Sequence, residues 1–362
     1  MSLTMSQRLR VGIVGVGIGR THLRGYQELP NEVEIVALCD LNETRLNEVG
    51  DAYQIPLRYT DFNQLFTSGQ IDAVSICLPN SLHAPVSIAA LEAGLHVLCE
   101  KPLAENSISG QKIVEAAARA PGKFMMCFNR RYRLDVQWIK TALKAGALGK
   151  IYQVKSGWVR ETGIPGRGSW FTSKELAGGG SLIDLGVHML DAVMWLLDYP
   201  EPLTVSGDVQ ANFGSRYLKT WGDVLSQQKI PFTVEDSATA FIRLAGGINL
   251  TLETSWASHA RPGMDDFFIT LMGTQGTIEL YVTNYAAENT LTFYTEVSGV
   301  PVVTRPAVKG VPSDHSYAIA EFVKSIKEDK VPEASAAQGL TIMKIIDAIY
   351  QSAEAKREIS VH

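Results

Sequence analysis

The stretch that decides the fold reads LRVGIVGVGIGR and runs from Leu9 to Arg20. Residues 9–14 form an apolar run typical of a buried strand, a glycine-rich turn follows, and a helix is predicted through Glu28. Glycine permits a tight turn and the close approach of a ligand, and the N–H groups at the start of a helix attract phosphate. This order of strand, glycine turn and helix predicts a turn that binds the pyrophosphate of a dinucleotide.

The glycine turn departs from the commonest dinucleotide fingerprint. Its third glycine, Gly19, falls one residue early, and Arg20 stands where glycine or alanine is usual. A glycine turn that binds nothing is therefore the alternative interpretation of this motif alone. The residues predicted to lie against a cofactor here are Gly15, Gly17, Ile18, Gly19 and Arg20.

A carboxylate, Asp40, ends the next predicted strand, Val33–Cys39. It lies about 20 residues past the fingerprint, where an acid hydrogen-bonds the adenosine ribose hydroxyls of NAD. Because a carboxylate repels a 2′-phosphate and neither of the next two residues is a cation, Asp40 favours NAD over NADP. Arg45 is close enough to weaken this preference, and an aspartate that only caps the next helix is the structural alternative.

Strands and helices alternate through residue 128. Short apolar runs separated by helices predict parallel strands joined by right-handed crossovers, a doubly wound sheet. In such sheets ligands bind beyond the carboxyl ends of the strands. The residues of interest just past these ends are Pro79, Asn80, His83, Glu100, Lys101 and Asn129.

Lys101 is the most informative of these residues. It follows a buried strand almost directly and precedes Pro102, which cannot continue the hydrogen-bonding ladder. A lysine at such a strand end, beside a cationic nicotinamide, would be partly desolvated and suited to proton exchange. A solvated lysine in a strand-end turn is the alternative.

The pattern changes after residue 129. Long alternating strands around glycine turns, such as Ser237–Leu244 and Ile248–Trp256, predict hairpins of an antiparallel sheet whose open face is a candidate subunit interface. Residues 213–230 lack periodicity and are predicted to be an inserted loop. Helices at 315–327 and 334–356 are predicted to complete this domain.

Three glycines at 178–180 precede an almost wholly apolar helix that is predicted to reach about Leu197. Its polar residues are spaced by three and four and are expected to share one face. They are Ser181, Asp184, His188 and Asp191. A buried helix must satisfy such a stripe. Either the stripe is hydrogen-bonded inside the core, or it lines a polar cavity where Asp184 orients His188 for proton transfer.

Length and composition restrict the class of protein. The 362 residues suit two domains, predicted as a dinucleotide-binding domain over 1–128 and a substrate-binding domain over 129–362. A net charge of −5 gives no reason to expect nucleic acid, and no apolar run reaches the ~18 residues of a membrane span. Four dispersed cysteines and no signal-peptide core predict a cytoplasmic protein with reduced thiols and without a metal site.

Three segments together carry a family resemblance. They are LPNSLH at 78–83, EAGLHVLCEKPLA at 92–104, and the glycine triplet followed by DLGVH at 184–188. The chain closely resembles the Gfo/Idh/MocA oxidoreductases from about Arg10 to its end. The Glu-Lys-Pro segment is highly specific in this setting, whereas the glycine fingerprint is much less so.

The resemblance implies a Rossmann domain followed by an α+β domain with a large, mostly antiparallel sheet. It implies NAD(P) on the first domain, a sugar, polyol or related substrate, and a homodimer or homotetramer formed through the open sheet face. It assigns catalysis to Lys101, Asp184 and His188. The further cofactor-side residues that it implies are Pro79, Asn80, His83, Glu100 and Asn129. The side-chain chemistry adds further candidates independently of the resemblance. Trp170 is placed beside the cofactor, where it could also stack on a sugar face, and Arg131, Arg160 and Arg167 are candidate substrate contacts beside Asp184 and His188, with a structural or solvated role as the alternative.

The resulting hypothesis is the oxidation of a secondary alcohol of a sugar or polyol by hydride transfer to the nicotinamide, with reversal possible. Two alternatives belong to other classes. One is an NAD-dependent glycosidase that oxidises its substrate transiently, and the other is a sensor that binds NAD without turnover.

Overall fold

The computed structural model describes residues 8–166, 168–216, 231–308 and 314–362. These residues form two compact units, the first from residues 8–129 and 314–341, and the second from the described residues of 130–308 together with 342–362. Arg167 and residues 217–230 of the predicted inserted loop lie outside the described residues.

The first unit is built on a six-stranded sheet in which every neighbouring pair of strands is parallel. Its order is β3-β2-β1-β4-β5-β6. The strands are β1 (Leu9–Val14), β2 (Val33–Cys39), β3 (Leu57–Tyr59), β4 (Ala73–Ile76), β5 (His96–Cys99) and β6 (Phe124–Met126). The order reverses between β1 and β4, which is the switch point where ligands bind in such sheets. The predicted doubly wound fold is confirmed.

Helices connect these strands. They are α1 (Gly19–Gln27), α2 (Glu43–Ala52), α3 (Phe62–Thr67), α4 (Asn80–Glu92) and α5 (Ser107–Arg119). The strands β1, β4, β5 and β6 are buried over nearly their whole length, as expected in the middle of a sheet covered on both faces, whereas β3 at the edge is only half-buried.

A helix from the far end of the chain, Asp314–Lys327, also belongs to the first unit. It packs on α1, where Gly25 lies so close to Ile319 that a β-carbon would meet that side chain at 2.5 Å. The structure groups residues 314–341 with the first unit, whereas the predicted substrate-binding domain spans 129–362. Hydrophobic periodicity predicts a helix, but it does not say which core the helix covers.

The described residues of the second unit form a nine-stranded sheet, and within these residues only β7 and β10 pair in parallel. Its order is β14-β13-β12-β11-β7-β10-β9-β8-β15. The strands are β7 (Ile151–Arg160), β8 (Pro202–Gln210), β9 (Ser237–Leu244), β10 (Ile248–Ser255), β11 (Asp265–Gly273), β12 (Gly276–Thr283), β13 (Leu291–Val297), β14 (Val300–Thr304) and β15 (Ile359–Ser360). The predicted large, mostly antiparallel sheet is confirmed.

The remaining helices are α6 (Leu134–Lys144), α7 (Lys174–Ala177), α8 (Val187–Leu196), α9 (Asp314–Lys327, described above) and α10 (Ala336–Ala355). All ten residues of α8 are buried, in agreement with its apolar sequence. Among the described residues, no helix is both long enough and apolar enough to cross a membrane.

Candidate active site

The glycine turn after β1 has the features that a bound pyrophosphate requires. Gly15 has a φ of +89°, and a β-carbon there would collide with the carbonyl oxygen of Cys77. Open space surrounds Gly17, since nothing lies within 4 Å of its ideal β-carbon position. In this part of the structure no side chain caps the start of α1. The N–H groups of Arg20 and Thr21 bond to the carbonyl oxygens of Gly17 and Ile18, and the positive end of the helix faces the glycine turn, where it favours a phosphate. The residues fit a dinucleotide.

Asp40 is buried at the end of β2 and joins this turn to α2. Its Oδ2 accepts the backbone N–H of Val16 at 2.9 Å, and its Oδ1 accepts that of Asn42 at 2.9 Å. Arg45 contacts both oxygens through Nη2, at 2.8 and 3.0 Å. Asp40 does not cap α2, because Asn42 does so by accepting the N–H of Arg45. The structure therefore leaves the carboxylate facing the cofactor turn.

Glu100 is the buried centre of a hydrogen-bond network beside Lys101. Its Oε1 lies 2.9 Å from Nε2 of His22, and its Oε2 accepts the backbone N–H of Lys101 at 3.1 Å. Burial would raise the pKa of Glu100, but hydrogen bonds and charge from His22 and His315 hold that pKa well below its usual value. A negative charge is thus fixed beside the half-buried Lys101.

His22 continues this network into the sheet. Its Nδ1 lies 3.0 Å from the hydroxyl of Ser75, which also meets the hydroxyl of Tyr26 at 2.9 Å. Donor atoms of His22, Glu100 and Cys127 lie within 4.8 Å of one another, the spacing of a possible metal site. Both ring nitrogens of His22 already have hydrogen-bond partners, which favours a structural network at this point.

His315 lies at the other side of Glu100, with Nε2 3.6 Å from Oε1. It also holds Asn129, whose Nδ2 is 3.1 Å from the ring Nδ1. Sequence reasoning selected Glu100 and Asn129 but missed His22 and His315. No sequence motif around His315 indicates this role, since its partner Asn129 is 186 residues away along the chain.

The predicted cofactor-side residues Pro79, Asn80 and His83 lie in the segment that follows β4. Pro79 precedes α4, and Asn80 is buried as its first residue. His83 is fully buried, with Nδ1 2.7 Å from the carbonyl oxygen of Pro102 and Nε2 2.9 Å from that of Leu78. Burial lowers the pKa of His83 despite these contacts. His83 therefore ties together the turns after β4 and β5, which favours a supporting role over direct contact with the cofactor.

The glycine triplet in the second unit leads into a π-helical turn, Leu182–Gly186, directly before α8. Gly180 is required because a β-carbon there would collide with the carbonyl oxygen of Glu235. The Glu235 carboxylate accepts the N–H groups of Gly180 and Leu182, each at 2.9 Å, and the hydroxyl of Tyr350 at 3.1 Å. Hydrogen bonds to the side chain of Glu235, which is distant in sequence, therefore stabilise the π-turn. π-turns are rare and occur frequently at functional sites.

Asp184 lies within this π-turn and accepts the indole N–H of Trp256 at 2.9 Å. Burial would lower the pKa of Arg160, but the negative charges of Asp184 and Asp265 help to raise it. The Asp184 carboxylate is therefore close enough to stabilise the charged guanidinium of Arg160. Asp184 thus combines a fixed hydrogen bond with partial exposure. A carboxylate held in this way can accept a hydrogen bond from a ligand hydroxyl.

His188 lies one turn further along, at the start of α8, and is buried. Its ring packs on Trp158, with 5.6 Å between the ring centroids. Trp158 is in turn fixed by the bond from its N–H to Asp265, at 2.7 Å, and by the guanidinium of Arg130 at 4.8 Å from its ring. Sequence reasoning missed Trp158, Trp256 and Glu235, since only the sheet register brings their strands and loops beside the π-turn.

The polar residues of this helix do not all have the same role, and each of the two interpretations applies to only some of them. Asp191 belongs to the core, where it pairs with the fully buried Arg131 through two guanidinium nitrogens and accepts the hydroxyl of Tyr199 at 2.7 Å. Ser181 lies 3.4 Å from the hydroxyl of Thr254. The π-turn disturbs the 3.6-residue period on which the prediction of one shared face depended.

Arg131, Arg160 and Trp170, which the sequence predicted as ligand contacts, have different hydrogen-bond and packing partners in the structure. The bonds of Arg131 favour a structural role over the substrate contact that the sequence suggested. Arg160 is buried and binds Asp265 at 3.1 Å and the hydroxyl of Tyr285 at 3.1 Å. Trp170 is half-buried and stacked on Phe171, with centroids 3.8 Å apart.

Comparison with known proteins identifies the family. Residues 9–128 match the oxidoreductase family with an NAD-binding Rossmann fold, and residues 136–279 match the GFO/IDH/MocA C-terminal domain. The chain belongs to the Gfo/Idh/MocA oxidoreductase family. The predicted family, the oxidoreductase activity and the NAD cofactor are thereby confirmed.

Several relatives of this family match over almost their whole length. D-glucoside 3-dehydrogenase of Escherichia coli is 30% identical over 99% of this chain and 99% of its own. Levoglucosan dehydrogenase of Pseudarthrobacter phenanthrenivorans is 28% identical over 98% of each chain. A solved structure of levoglucosan dehydrogenase in complex with NADH and levoglucosan has a TM-score of 0.86 at 23% identity, and the match covers 98% of this chain and 100% of that one. At this identity, the solved structure supports the fold alone.

Proposed function

We propose that this Gfo/Idh/MocA oxidoreductase oxidises a ring secondary hydroxyl of a glycoside or a closely related sugar. The observation that carries the proposal is the site at the π-turn, where Asp184 is fixed by Trp256 and His188 packs on Trp158. The glucoside and levoglucosan dehydrogenases named above act on substrates of this class by their names. NAD supplies the hydride acceptor when it is bound.

We assign the binding and activation of the reacting sugar to three residues. His188 accepts the proton of the reacting hydroxyl, and Lys101 donates a hydrogen bond to the same oxygen and stabilises its developing negative charge. Asp184 binds a sugar hydroxyl and positions it. Glu100 holds the backbone at Lys101, and Trp256 holds the Asp184 carboxylate.

A substrate screen tests this proposal. Purified protein with NAD is offered methyl and aryl glycosides, free sugars, inositols and sugar acids, and NADH is followed by its absorbance while the sugar products are identified by mass spectrometry. The proposal expects stoichiometric NADH and a keto-sugar from at least one glycoside. Glycoside cleavage without net NADH would indicate the transient-oxidation enzyme instead, and binding of NAD with no turnover on any substrate would indicate a sensor.

We also propose that the chain forms a homo-oligomer through the open face of its nine-stranded sheet. Phe268 and Tyr281 are paired across β11 and β12 on this face, with stacked rings, and Tyr281 is half-exposed. Such an aromatic patch suits an interface between copies. Light scattering of the eluting protein should give a dimer or tetramer mass, and Tyr281→Glu should lower that mass if this face is the interface. A monomer mass for the unaltered chain would contradict the proposal.

A cytoplasmic location is the final part of this proposal. Cys39, Cys77, Cys99 and Cys127 are buried thiols outside any disulfide. Burial raises the pKa of the Cys39 thiol to about 12, which keeps it protonated and unreactive. Free thiols are typical of a reducing compartment. Fractionation of the source cells is the test, and recovery of the protein outside the cytoplasmic fraction would contradict the proposal.

A further inference from the structure

Several strands of the second unit meet at the edge of the sheet that carries the candidate active site. β7, β8 and β10 end at this edge, and β9 and β11 begin there, as the strand registers show. Trp256, which donates its indole N–H to Asp184, directly follows β10. The loops beyond these strand ends therefore lie close to the π-turn and its carboxylate.

On one side of Trp256 this edge of the sheet is charged. β7 and β11 lie on that side of β10, and Arg160 at the end of β7 binds Asp265 at 3.1 Å and the hydroxyl of Tyr285 at 3.1 Å. Guanidinium, carboxylate and phenol groups donate or accept hydrogen bonds. This side of the site therefore suits the hydroxyl groups of a sugar.

On the other side of Trp256, two aromatic rings from different loops meet. β9 and β8 lie on that side of β10. Phe213 follows β8 and His259 follows β10, and their rings pack edge to face with 5.4 Å between the centroids. Phe213 is half-buried and His259 is exposed, so the pair presents ring surface to a ligand.

Backbone hydrogen bonds connect this ring pair to the residue that fixes Asp184. Asp236 is fully buried, and its Oδ2 accepts the N–H of Phe213 at 2.6 Å. The carbonyl oxygen of Asp236 accepts the backbone N–H of Trp256 at 2.8 Å. His259 is three residues beyond Trp256, so their α-carbons are at most about 11 Å apart. A group attached to a sugar at Asp184 can therefore reach the rings.

We propose that Phe213 and His259 form a subsite for an aromatic aglycone, the group that a glycoside carries on its anomeric oxygen. The sugar ring lies at Asp184 with its hydroxyls towards Arg160, and the aglycone extends across the two rings. An aromatic group packs edge to face or offset-stacked on such rings, which a methyl group cannot do. The inference rests on the proposed oxidation of a glycoside and names the class of aglycone.

A phenyl and a methyl glycoside of the same sugar test this subsite. Both kcat and KM are measured from NADH formation at saturating NAD for the unaltered chain, Phe213→Ala and His259→Ala. The unaltered chain should prefer the phenyl glycoside by at least about tenfold in kcat/KM. Each variant should lower this preference by about threefold to tenfold, the fold-change that an aromatic contact supplies. The loss should appear in KM for the phenyl glycoside rather than in kcat.

Phe62→Ala is the matched control, because it removes a half-buried ring that contacts Phe66 in the first unit, and it should leave the preference unchanged. Melting curves establish that each variant is folded. His259 is exposed, so His259→Ala should fold even where Phe213→Ala does not. Equal kcat/KM for the two glycosides in the unaltered chain, or a preference that survives both substitutions, would overturn the subsite.

Calorimetric titration with NADH present separates this inference from the proposed function. If no glycoside is oxidised, the proposed function fails, and the affinities of the two glycosides then decide about the subsite. Tighter binding of the phenyl glycoside that Phe213→Ala or His259→Ala removes would support the subsite. Absent binding, equal affinities, or a difference that neither variant reduces would overturn it.

Discussion

The indole N–H of Trp256 donates a hydrogen bond of 2.9 Å to the carboxylate of Asp184. Trp256 is fully buried and follows the last residue of β10, while Asp184 lies in the π-turn before α8. A side chain from the sheet therefore fixes the orientation of a carboxylate in the candidate active site. The bond links the packing of the second unit to its chemistry.

Removing this bond should lower activity without unfolding the protein. Trp256→Phe leaves most of the buried ring but no donor for Asp184, so the carboxylate loses its fixed orientation. We expect kcat/KM for the sugar to fall by about 10- to 100-fold, the value of a hydrogen bond to a charged group, while the NADH dissociation constant stays unchanged. Trp195→Phe on α8 is the matched control. Equal losses in the two variants would mean that packing rather than the bond is responsible.

The buried pair of Arg131 and Asp191 should be a determinant of stability. Asp191→Ala leaves the fully buried guanidinium without its partner, which typically costs about 3–5 kcal/mol in the free energy of unfolding. Urea denaturation measures this cost. Lys356→Ala removes an exposed ion pair with Asp208 and should change the midpoint hardly at all. A small effect of Asp191→Ala would return Arg131 to the candidate substrate contacts.

Glu235 should support the π-turn as an acceptor. Burial raises the pKa of Glu235, although the N–H groups of Leu182 and Gly180 and the hydroxyl of Tyr350 oppose this. Glu235→Gln replaces an acceptor oxygen by a donor that faces another donor, and should cost about 1–3 kcal/mol in unfolding free energy. Because the folded pKa is raised, the unaltered glutamate stabilises less as pH rises through that pKa, and the variant should lose this dependence. An unchanged pH slope would contradict the assignment.

Glu100 should have the opposite dependence on pH. Its pKa is held well below the ordinary value in the folded protein, so its contribution is fully present above the unfolded pKa of about 4.3 and is lost as pH falls towards the folded pKa. Glu100→Gln should therefore lower unfolding free energy at neutral pH, by roughly 1.5–3 kcal/mol, and less in acid. Denaturation at a series of pH values measures the difference. A constant difference between pH 7 and pH 3 would show that ionisation of Glu100 does not matter.

Local sequence patterns predicted both sheets, but not the packing of α9 in the first unit. Apolar runs of strand length, separated by helices, predicted the parallel sheet, and the glycine turn after β1 marked its ligand-binding edge. Local patterns also selected Asp40, Lys101, Asp184 and His188, because a polar residue after a buried strand or within an apolar helix is conspicuous. These signals arise from neighbours along the chain.

Contacts between distant segments could not be predicted in the same way. Trp256 is 72 residues from Asp184, and His315 is 186 residues from Asn129. The π-turn depends on Glu235, which lies beyond the predicted inserted loop, and so helical periodicity alone could not locate it. The sequence alone predicts Arg131 as a ligand for an anion, and only its buried partner Asp191 indicates a structural role. Tertiary partners, which no local pattern records, separate structural charges from those available to a substrate.

Single-turnover NADH formation by the Lys101→Ala and His188→Ala variants tests the central claim most directly. Each variant is saturated with NAD and mixed with the sugar that the unaltered enzyme oxidises, and NAD affinity is measured separately. Loss of the proton acceptor His188 or of the hydrogen-bond donor Lys101 should slow NADH formation by about 10²–10⁴-fold while NAD affinity is retained. Lys112→Ala, which removes an exposed lysine on α5, should have no effect. Near-normal rates in both variants would contradict the account, because the proton would then be removed by other groups.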